Sequence, residues 1–338
     1  MNVAPAMNAV ATETAETLVS VRGLKVHFPI KKGIIFDRTV GHVKAVDGVS
    51  FHIQRGESLG MVGESGCGKT TIGRSILRLE TPTEGQITYD GQDVSDMSGP
   101  DALQYRKLVQ AVFQDPYSSL NPRISVGDII SEPLIVHDPG MKFIDRAKRV
   151  KELLDLCGLP QNLADRFPHE MSGGQRQRVG IARALALRPE FIVCDEAVSA
   201  LDVSIQAQII RLLEDLRQEF GLTYLFIGHD LSVVRHMCQR VAVMYLGKIV
   251  EIGDCDSIFS DPKHPYTKAL LDAVPVPDPE IEATRSHTFI TGEVPSPSAP
   301  PPGCVFHPRC AIARKECSID LPITQSASGN RKVACTYA

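Results

Sequence analysis

Residues Gly63-Glu64-Ser65-Gly66-Cys67-Gly68-Lys69-Thr70 fit G-x-x-x-x-G-K-[ST], the pattern of a phosphate-binding P-loop. An apolar run, Ser58–Val62, precedes them, and a helical-looking run, Thr71–Leu79, follows. That strand–loop–helix context separates a phosphate cradle from an ordinary Gly-rich turn. Glycines let backbone N–H groups turn inward around phosphate oxygens, and the helix N-terminus adds its positive dipole end. Lys69 can reach the β- and γ-phosphates, and Thr70 can offer its hydroxyl to Mg²⁺.

Five further stretches follow in order. Val112-Phe113-Gln114-Asp115 closes an apolar segment, and Met171-Ser172-Gly173-Gly174-Gln175-Arg176-Gln177-Arg178 places a Ser-Gly-Gly turn before a helix. Phe191-Ile192-Val193-Cys194-Asp195-Glu196 ends a strand in two carboxylates, followed by Ser199-Ala200-Leu201-Asp202. Tyr224–Gly228 then delivers His229. This series resembles the Q-loop, signature, Walker B, D-loop and switch histidine of ABC-type ATPases, and the resemblance covers about Leu18 to Ala273. It implies an α/β P-loop NTPase of the ABC cassette fold, with a mixed sheet, flanking helices, an antiparallel β subdomain and a helical subdomain.

The chain has 338 residues, 36 basic against 40 acidic, a net charge of −4, so nothing favours nucleic acid as the main partner. No apolar run approaches the roughly 18–20 residues of a membrane span. Met1–Thr17 is Ala-rich and polar, has no secretory signal pattern and is expected to be disordered. Residues 18–273 are expected to form the nucleotide-binding domain. After Ala273 the composition shifts: Val274–Pro279 and Pro295–Pro302 are Pro-rich, linker-like segments, so 274–338 is expected to form a separate C-terminal extension.

Leu18–Phe28 and Ala45–Ile53 read as strands around a long basic loop, Pro29–Val43. Gly85–Tyr89 and Val109–Phe113 are further strand candidates. Ile144–Cys157 has helical apolar spacing, and Gln175–Leu187 is a second helix. Val203–Phe220 repeats apolar residues at Ile205, Ile209, Leu212, Leu213, Leu216 and Phe220, a helix with one face on a sheet. The short, continuous apolar strands Phe191–Cys194 and Tyr224–Ile227 suit a parallel sheet covered on both faces.

The resemblance assigns roles. Gly63, Ser65, Gly66, Cys67, Gly68, Lys69, Thr70 and Thr71 would contact ATP. Asp195, with Thr70 and Gln114, would hold Mg²⁺. Glu196 can act as general base, Gln114 can sense the γ-phosphate, and His229 can donate to it. Ser172, Gly173, Gly174 and Gln175 would grip the γ-phosphate bound to a second cassette, with Asp202 at that interface. For the adenine, Phe28 is the expected stacking ring and His42 its competitor. The family usually carries Pro after the Walker B Glu; Ala197 stands here, which loosens the loop and removes no chemical group.

Phe113–Arg123, Cys194–Ser204 and Pro295–Cys310 are similar to oligopeptide/dipeptide (peptide/nickel-type) importer ATPases, nearest the second, F-type, of their two ATPase subunits. That implies two transmembrane permease subunits, an extracytoplasmic substrate-binding protein and a second ATPase subunit, a paralogue before another copy. It implies a peripheral place on the cytoplasmic face of the inner membrane. The competing reading is a soluble ABC ATPase acting on nucleic acid or in translation; the acidic balance, the single cassette and the lack of a long coiled-coil insertion argue against it. Four of the nine cysteines, Cys304, Cys310, Cys317 and Cys335, fall in the last 35 residues, spaced C-x₅-C-x₆-C-x₁₇-C. Zn²⁺, an iron–sulfur cluster and free thiols are all open to such a set. The family resemblance implies a [4Fe–4S] cluster. The other five cysteines are expected to be small buried residues.

Overall fold

The computed structural model describes residues 16–32, 38–114, 119–274, 290, 292–319, 324–325 and 331–337. Most of the N-terminal segment expected to be disordered, and Pro275–Pro279 of the first Pro-rich segment, lie outside the described residues. Thr17 already opens the first strand.

An antiparallel sheet is built from β1 (Thr17–Lys32), β2 (Arg38–Gln54), β4 (Glu84–Tyr89) and β5 (Gln92–Asp93), in the order β2-β1-β4-β5. The loop expected over Pro29–Val43 is mostly strand: Phe28 pairs with Val43 and Lys32 with Arg38. The basic residues there are exposed rather than unstructured, because a β-hairpin arm satisfies its backbone without needing apolar side chains.

A second sheet carries the catalytic motifs. Its strands are β3 (Ser58–Val62), β6 (Val109–Val112), β7 (Phe191–Asp195), β8 (Thr223–Ile227), β9 (Arg240–Tyr245), β10 (Lys248–Asp254), β11 (Thr324–Gln325) and β12 (Lys332–Val333), in the order β11-β12-β10-β9-β3-β8-β7-β6. From β9 to β6 every neighbour is parallel. Every residue of β3 and β8 is buried, as continuous apolar strands covered on both faces require. One apolar core lies between the antiparallel sheet, the helix Lys69–Ile76 and the large sheet. The other joins the large sheet to the helices Gly173–Leu185, Val203–Phe220 and Leu231–Met237 and extends into the helical subdomain of Val126–His137 and Phe143–Leu156.

The helix Val203–Phe220 shows why the sequence breaks where it does. The Asp202 carboxylate accepts the Ile205 N–H at 3.0 Å and caps the start; Gly221, at φ 64°, ends it in a left-handed turn. Ile209, Ile210, Leu213 and Leu216 bury one face. Phe220 does not join them and is exposed, since the chain turns away at Gly221. Cys67, Cys157, Cys194, Cys238 and Cys255 are buried, as expected.

The C-terminal extension packs on the cassette instead of hanging from it. Val305 and Phe306 are buried, and Phe306 meets Tyr245 and Tyr266 at ring distances of 5.2 and 5.4 Å. Strand β12 pairs antiparallel with β10. Beside that pairing, the fully buried Glu251 accepts from Arg331 Nε at 3.0 Å and from the backbone N–H groups of Lys263 and His264 at 3.1 and 3.0 Å. An apolar anchor, a strand and a buried ion pair thus fix the extension on the cassette. Arg331→Ala strands the Glu251 carboxylate in the interior and is expected to cost about 3 kcal/mol, the range for breaking one side of a buried pair. Urea unfolding monitored through the C-terminal extension measures it; a change under ~0.5 kcal/mol contradicts the clamp.

Candidate functional site

Parallel register brings the predicted residues to one edge. Val112 pairs with Cys194 and Asp195 with Ile227, while Met61 pairs with Ile227 on the other side of β8. The segments leaving β3, β6, β7 and β8 therefore emerge side by side: the P-loop, Phe113-Gln114, Asp195-Glu196 and Gly228-His229. Gln114 is exposed there. Asp115–Ser118, the following part of the expected Q-loop, lies outside the described residues.

The P-loop is shaped by close approach. A Cβ at Gly63, φ 149°, would fall 2.1 Å from Met244 O, and one at Gly68, φ 107°, 2.2 Å from Ala45 O. No side chain fits at either place, which explains the glycines physically. Lys69 is buried, and its ammonium donates to Gly63 O at 2.7 Å and Glu64 O at 3.0 Å, folded over the cradle. Cys67 lies below it, its thiol pushed up by burial. Ser65 and Gly66 form the turn of the loop, and Thr71 follows Thr70 in the helix.

Thr70 Oγ1 donates to Asp195 Oδ1 at 3.0 Å, so the two expected Mg²⁺ ligands converge. Two hard oxygen donors, one of them a carboxylate in a partly desolvated place, suit that ion. Glu196 has φ 49°, a left-handed conformation that costs a residue with a β-carbon about 1–2 kcal/mol. Its N–H donates to Ile227 O at 2.9 Å, and its carbonyl accepts from the Ser199 hydroxyl at 3.0 Å. These bonds hold the strained residue and turn its carboxylate toward His229, whose Nδ1 lies 3.6 Å away. Glu196, Ser199, Gln206, His229 and Asp230 line a cavity of about 70 Å³ beside them. A larger cavity, about 790 Å³, opens at the amino end of β3 around His52, Glu57 and Arg240 and includes none of the predicted site residues. Its volume is an open cleft; the predicted site residues lie at the other end of the sheet.

Ser172 caps the helix Gly173–Leu185: its hydroxyl accepts the Gln175 N–H at 3.3 Å, while Gln175 Oε1 accepts the Ser172 N–H at 3.0 Å. Gly174 packs so closely on the next helix that a Cβ would lie 2.5 Å from Ile205 Cγ2. Asp202 is likewise a helix cap, its carboxyl held down by the Ser204 hydroxyl and the Ile205 N–H. Phe28 is exposed but does not end β1, which runs on to Lys32; it pairs with Val43, two residues before the Ala45 that abuts Gly68. His42, the competing ring, is opposite Pro29.

Sequence reasoning missed several neighbours. Ser199 supports Glu196, and Asp230 caps the helix Leu231–Met237 through Ser232 N–H at 2.9 Å. An Asp before an apolar-periodic run signalled that cap. Tyr266 Oη accepts the Glu64 N–H at 2.9 Å, and Arg309 pairs with the Glu64 carboxylate across 245 residues. No local pattern signals either contact.

The four C-terminal thiols face the same region. Cys304, Cys317 and Cys335 line one cavity, and burial pushes the Cys304, Cys310 and Cys335 thiols up, with the other cysteines of the set adding to it. Among the described residues, however, no three His, Cys, Asp or Glu side chains converge closely enough to hold a metal ion. The expected ligand set shares a region, and the contacts around Phe306 and Arg331 hold the extension beside it.

The chain matches the ABC transporter family over residues 46–199 and the C-terminal region of oligopeptide/dipeptide transporters over residues 250–317. It is 53% identical to the oligopeptide transport ATP-binding protein AppF of Bacillus subtilis, over 95% of this chain and 97% of that protein. It is 49% identical to OppF, of the same description, from Salmonella typhimurium, over 97% and 98%. Among solved structures it is similar to the ATP-binding cassette MJ0796 in a dimeric post-hydrolysis state with ADP and Pi, at 29% identity and TM-score 0.62, covering 70% of this chain and 99% of that one. No helix among the described residues is long and apolar enough to cross a membrane.

Burial pushes the Asp195 carboxyl above its usual value, and the Glu196 charge adds to this against the opposing Thr70 hydrogen bond. A carboxyl that holds its proton more tightly folded than unfolded loses stability as pH rises through that window, and the ionised form stays unfavourable above it. In nucleotide- and Mg²⁺-free protein, Asp195→Asn is therefore expected to raise the urea midpoint at about pH 7 and to match the parent below about pH 4. A lower midpoint at neutral pH contradicts the desolvation account.

Proposed function

The chain belongs to the ABC transporter family, with the C-terminal region of oligopeptide/dipeptide transporters, and on that premise we propose that it is the ATP-hydrolysing motor subunit of an oligopeptide importer. The observation that carries the reading is the joint presence of a P-loop, Thr70–Asp195 and Glu196–His229 on adjacent parallel strand ends. The near-full-length identity to oligopeptide transport ATP-binding proteins supports the cargo class.

ATP seats its phosphates on the P-loop N–H groups, and Lys69 exchanges its bonds to Gly63 O and Glu64 O for phosphate oxygens. Mg²⁺, when bound at Thr70 and Asp195 with Gln114 nearby, neutralises charge on the transferring phosphoryl group. Glu196 takes the proton of the attacking water, and His229 beside it donates to the γ-phosphate. Ser172 and the N–H groups of Gly173, Gly174 and Gln175 complete the site of the opposing cassette, with Asp202 at the interface. Phe28 stacks on the adenine. The opposing cassette is a paralogue, a reading supported by the resemblance to the second of two ATPase subunits. Two transmembrane permeases and an extracytoplasmic binding protein complete the assembly, and the chain sits peripherally on the cytoplasmic face. The permeases dock along Gln114–Ile130, between the phosphate sensor and the helical subdomain. The cassette spans 18–273 and the extension 274–338.

The extension adds a metal centre in this reading: Cys304, Cys310, Cys317 and Cys335 hold a [4Fe–4S] cluster in preference to Zn²⁺, supported by the shared cavity of Cys304, Cys317 and Cys335. Such a centre would draw in the thiolates and tighten a segment with little regular structure. Anaerobically purified protein is expected to carry iron and sulfide at about four each per chain. Zinc alone keeps the ligands and rejects the cluster; no metal rejects both.

Glu196→Gln is expected to retain ATP and lose roughly 10²–10⁴-fold in turnover, with peptide uptake lost in cells that carry it. Parent-like hydrolysis by the purified complex removes Glu196 from its role. Lys69→Ala is expected to weaken nucleotide binding itself, whereas Ser172→Arg leaves binding to the isolated chain intact and blocks turnover through the other cassette. A Ser172→Arg chain that no longer binds ATP by itself contradicts the shared-site geometry.

A further inference from the structure

Glu64 is the one acidic residue within the P-loop, next to the site of a highly charged anion. It is held on three sides. Its carbonyl accepts from Lys69 at 3.0 Å, its N–H donates to Tyr266 Oη at 2.9 Å, and its carboxylate takes Arg309 Nη1 at 3.1 and 3.3 Å. Two of these partners lie in the segment that matches the transporter C-terminal region, and Arg309 lies in the extension itself.

Arg309 is well built into its place. Its side chain is 9% exposed against 30% for Glu64. The same Nη1 donates to Tyr245 Oη at 3.2 Å, and the guanidinium lies 5.8 Å from the centre of that ring. Arg309 ends a short 3₁₀ turn, His307–Arg309, whose first neighbour is the buried Phe306; Arg309 N–H donates to Phe306 O at 3.0 Å. Phe306 contacts Tyr245 and Tyr266, so the anchor that docks the extension also aims Arg309 at the loop.

We propose that Arg309 is a positioning residue of the ATP site: by neutralising Glu64 from behind the P-loop, it makes nucleotide affinity depend on a docked C-terminal extension. Without it an unpaired, partly buried carboxylate remains on the loop that receives the phosphates, a like-charge repulsion. The pair contributes to binding and not to proton transfer, so affinity changes and turnover at saturation does not. The inference rests on the ATP reading given above.

The test is a titration of the purified full-length chain with a fluorescent trinitrophenyl-ATP displaced by Mg-ATP, with Lys69→Ala as the control. Arg309→Met keeps the apolar stem over Tyr245 and removes the charge. It is expected to weaken Mg-ATP binding roughly tenfold, while turnover of the assembled complex at saturating ATP stays within about twofold. Adding Glu64→Gln to Arg309→Met removes the stranded carboxylate and is expected to restore affinity to within about twofold of the parent. A purely structural role in docking the extension would not be rescued this way. Parent-like affinity in Arg309→Met overturns the inference, as does a loss that Glu64→Gln leaves unrepaired. If Arg309→Met does not fold, Arg309→Lys is read in its place: retention of affinity within about threefold is expected, and a tenfold loss overturns it. A parent chain with no Lys69-dependent ATP binding overturns the nucleotide reading together with this inference, which distinguishes the two failures.

Discussion

Parallel hydrogen-bonded register through β6, β7, β8, β3 and β9 is the constraint on which the rest depends. In a parallel sheet all strands end on the same side. One edge then collects every loop that follows a strand, however far apart those loops lie in the chain. Here that edge gathers the P-loop, Gln114, the Asp195-Glu196 pair and His229. A slip of one residue between β7 and β8 would turn the side chains of one strand to the opposite face and uncouple Glu196 from His229. Burial of β3 and β8 on both faces, with Ile227, Phe226 and Leu225 fully enclosed, is what forbids the slip.

Within that frame the site stores local strain and electrostatic tension. Glu196 is held in a left-handed conformation by bonds from both its N–H and its carbonyl. Asp195 is kept in a place that penalises its charge. Lys69 spends its hydrogen bonds on the loop's own carbonyls. Strained and under-compensated groups cluster at such sites because the surrounding core over-determines them. The signature residues differ: Ser172 and Asp202 are satisfied as helix caps and stand exposed at the surface.

The extension changes the meaning of the cassette's boundary. A tail rich in Pro and Cys reads as an appendage, yet Phe306 enters the main core, β12 lengthens the large sheet and Arg331 neutralises a fully buried Glu251. Through Arg309 the extension also reaches Glu64. The cassette's ATP loop and the segment that marks the transporter type are therefore one packed unit.

The sequence by itself determined the class of fold, the order of the motifs, the helix after the P-loop, the helices over Ile144–Cys157, Gln175–Leu187 and Val203–Phe220, and the strands β3, β6, β7 and β8; the helices Val126–His137 and Leu231–Met237 and the inner strand β9 were not read from it. The former depend on local signals: Gly63 and Gly68 where backbones nearly touch, apolar periodicity in Val203–Phe220, continuous apolar runs in β7 and β8. It singled out the P-loop, the Asp195-Glu196 carboxylates and His229, which the parallel sheet brings to one edge, because each belongs to a short motif with its own chemistry. It misjudged Pro29–Val43, since an exposed hairpin arm is held by backbone pairing that side-chain patterning does not report, and it gave Phe28 a strand end it does not have. Only the tertiary structure decided that the extension is anchored by Phe306 and Arg331, that Cys304, Cys317 and Cys335 line one cavity, and that Arg309 meets Glu64. Those are contacts between residues tens to hundreds of positions apart. They arise from how surfaces pack once the sheet is formed, and no spacing within the sequence encodes them.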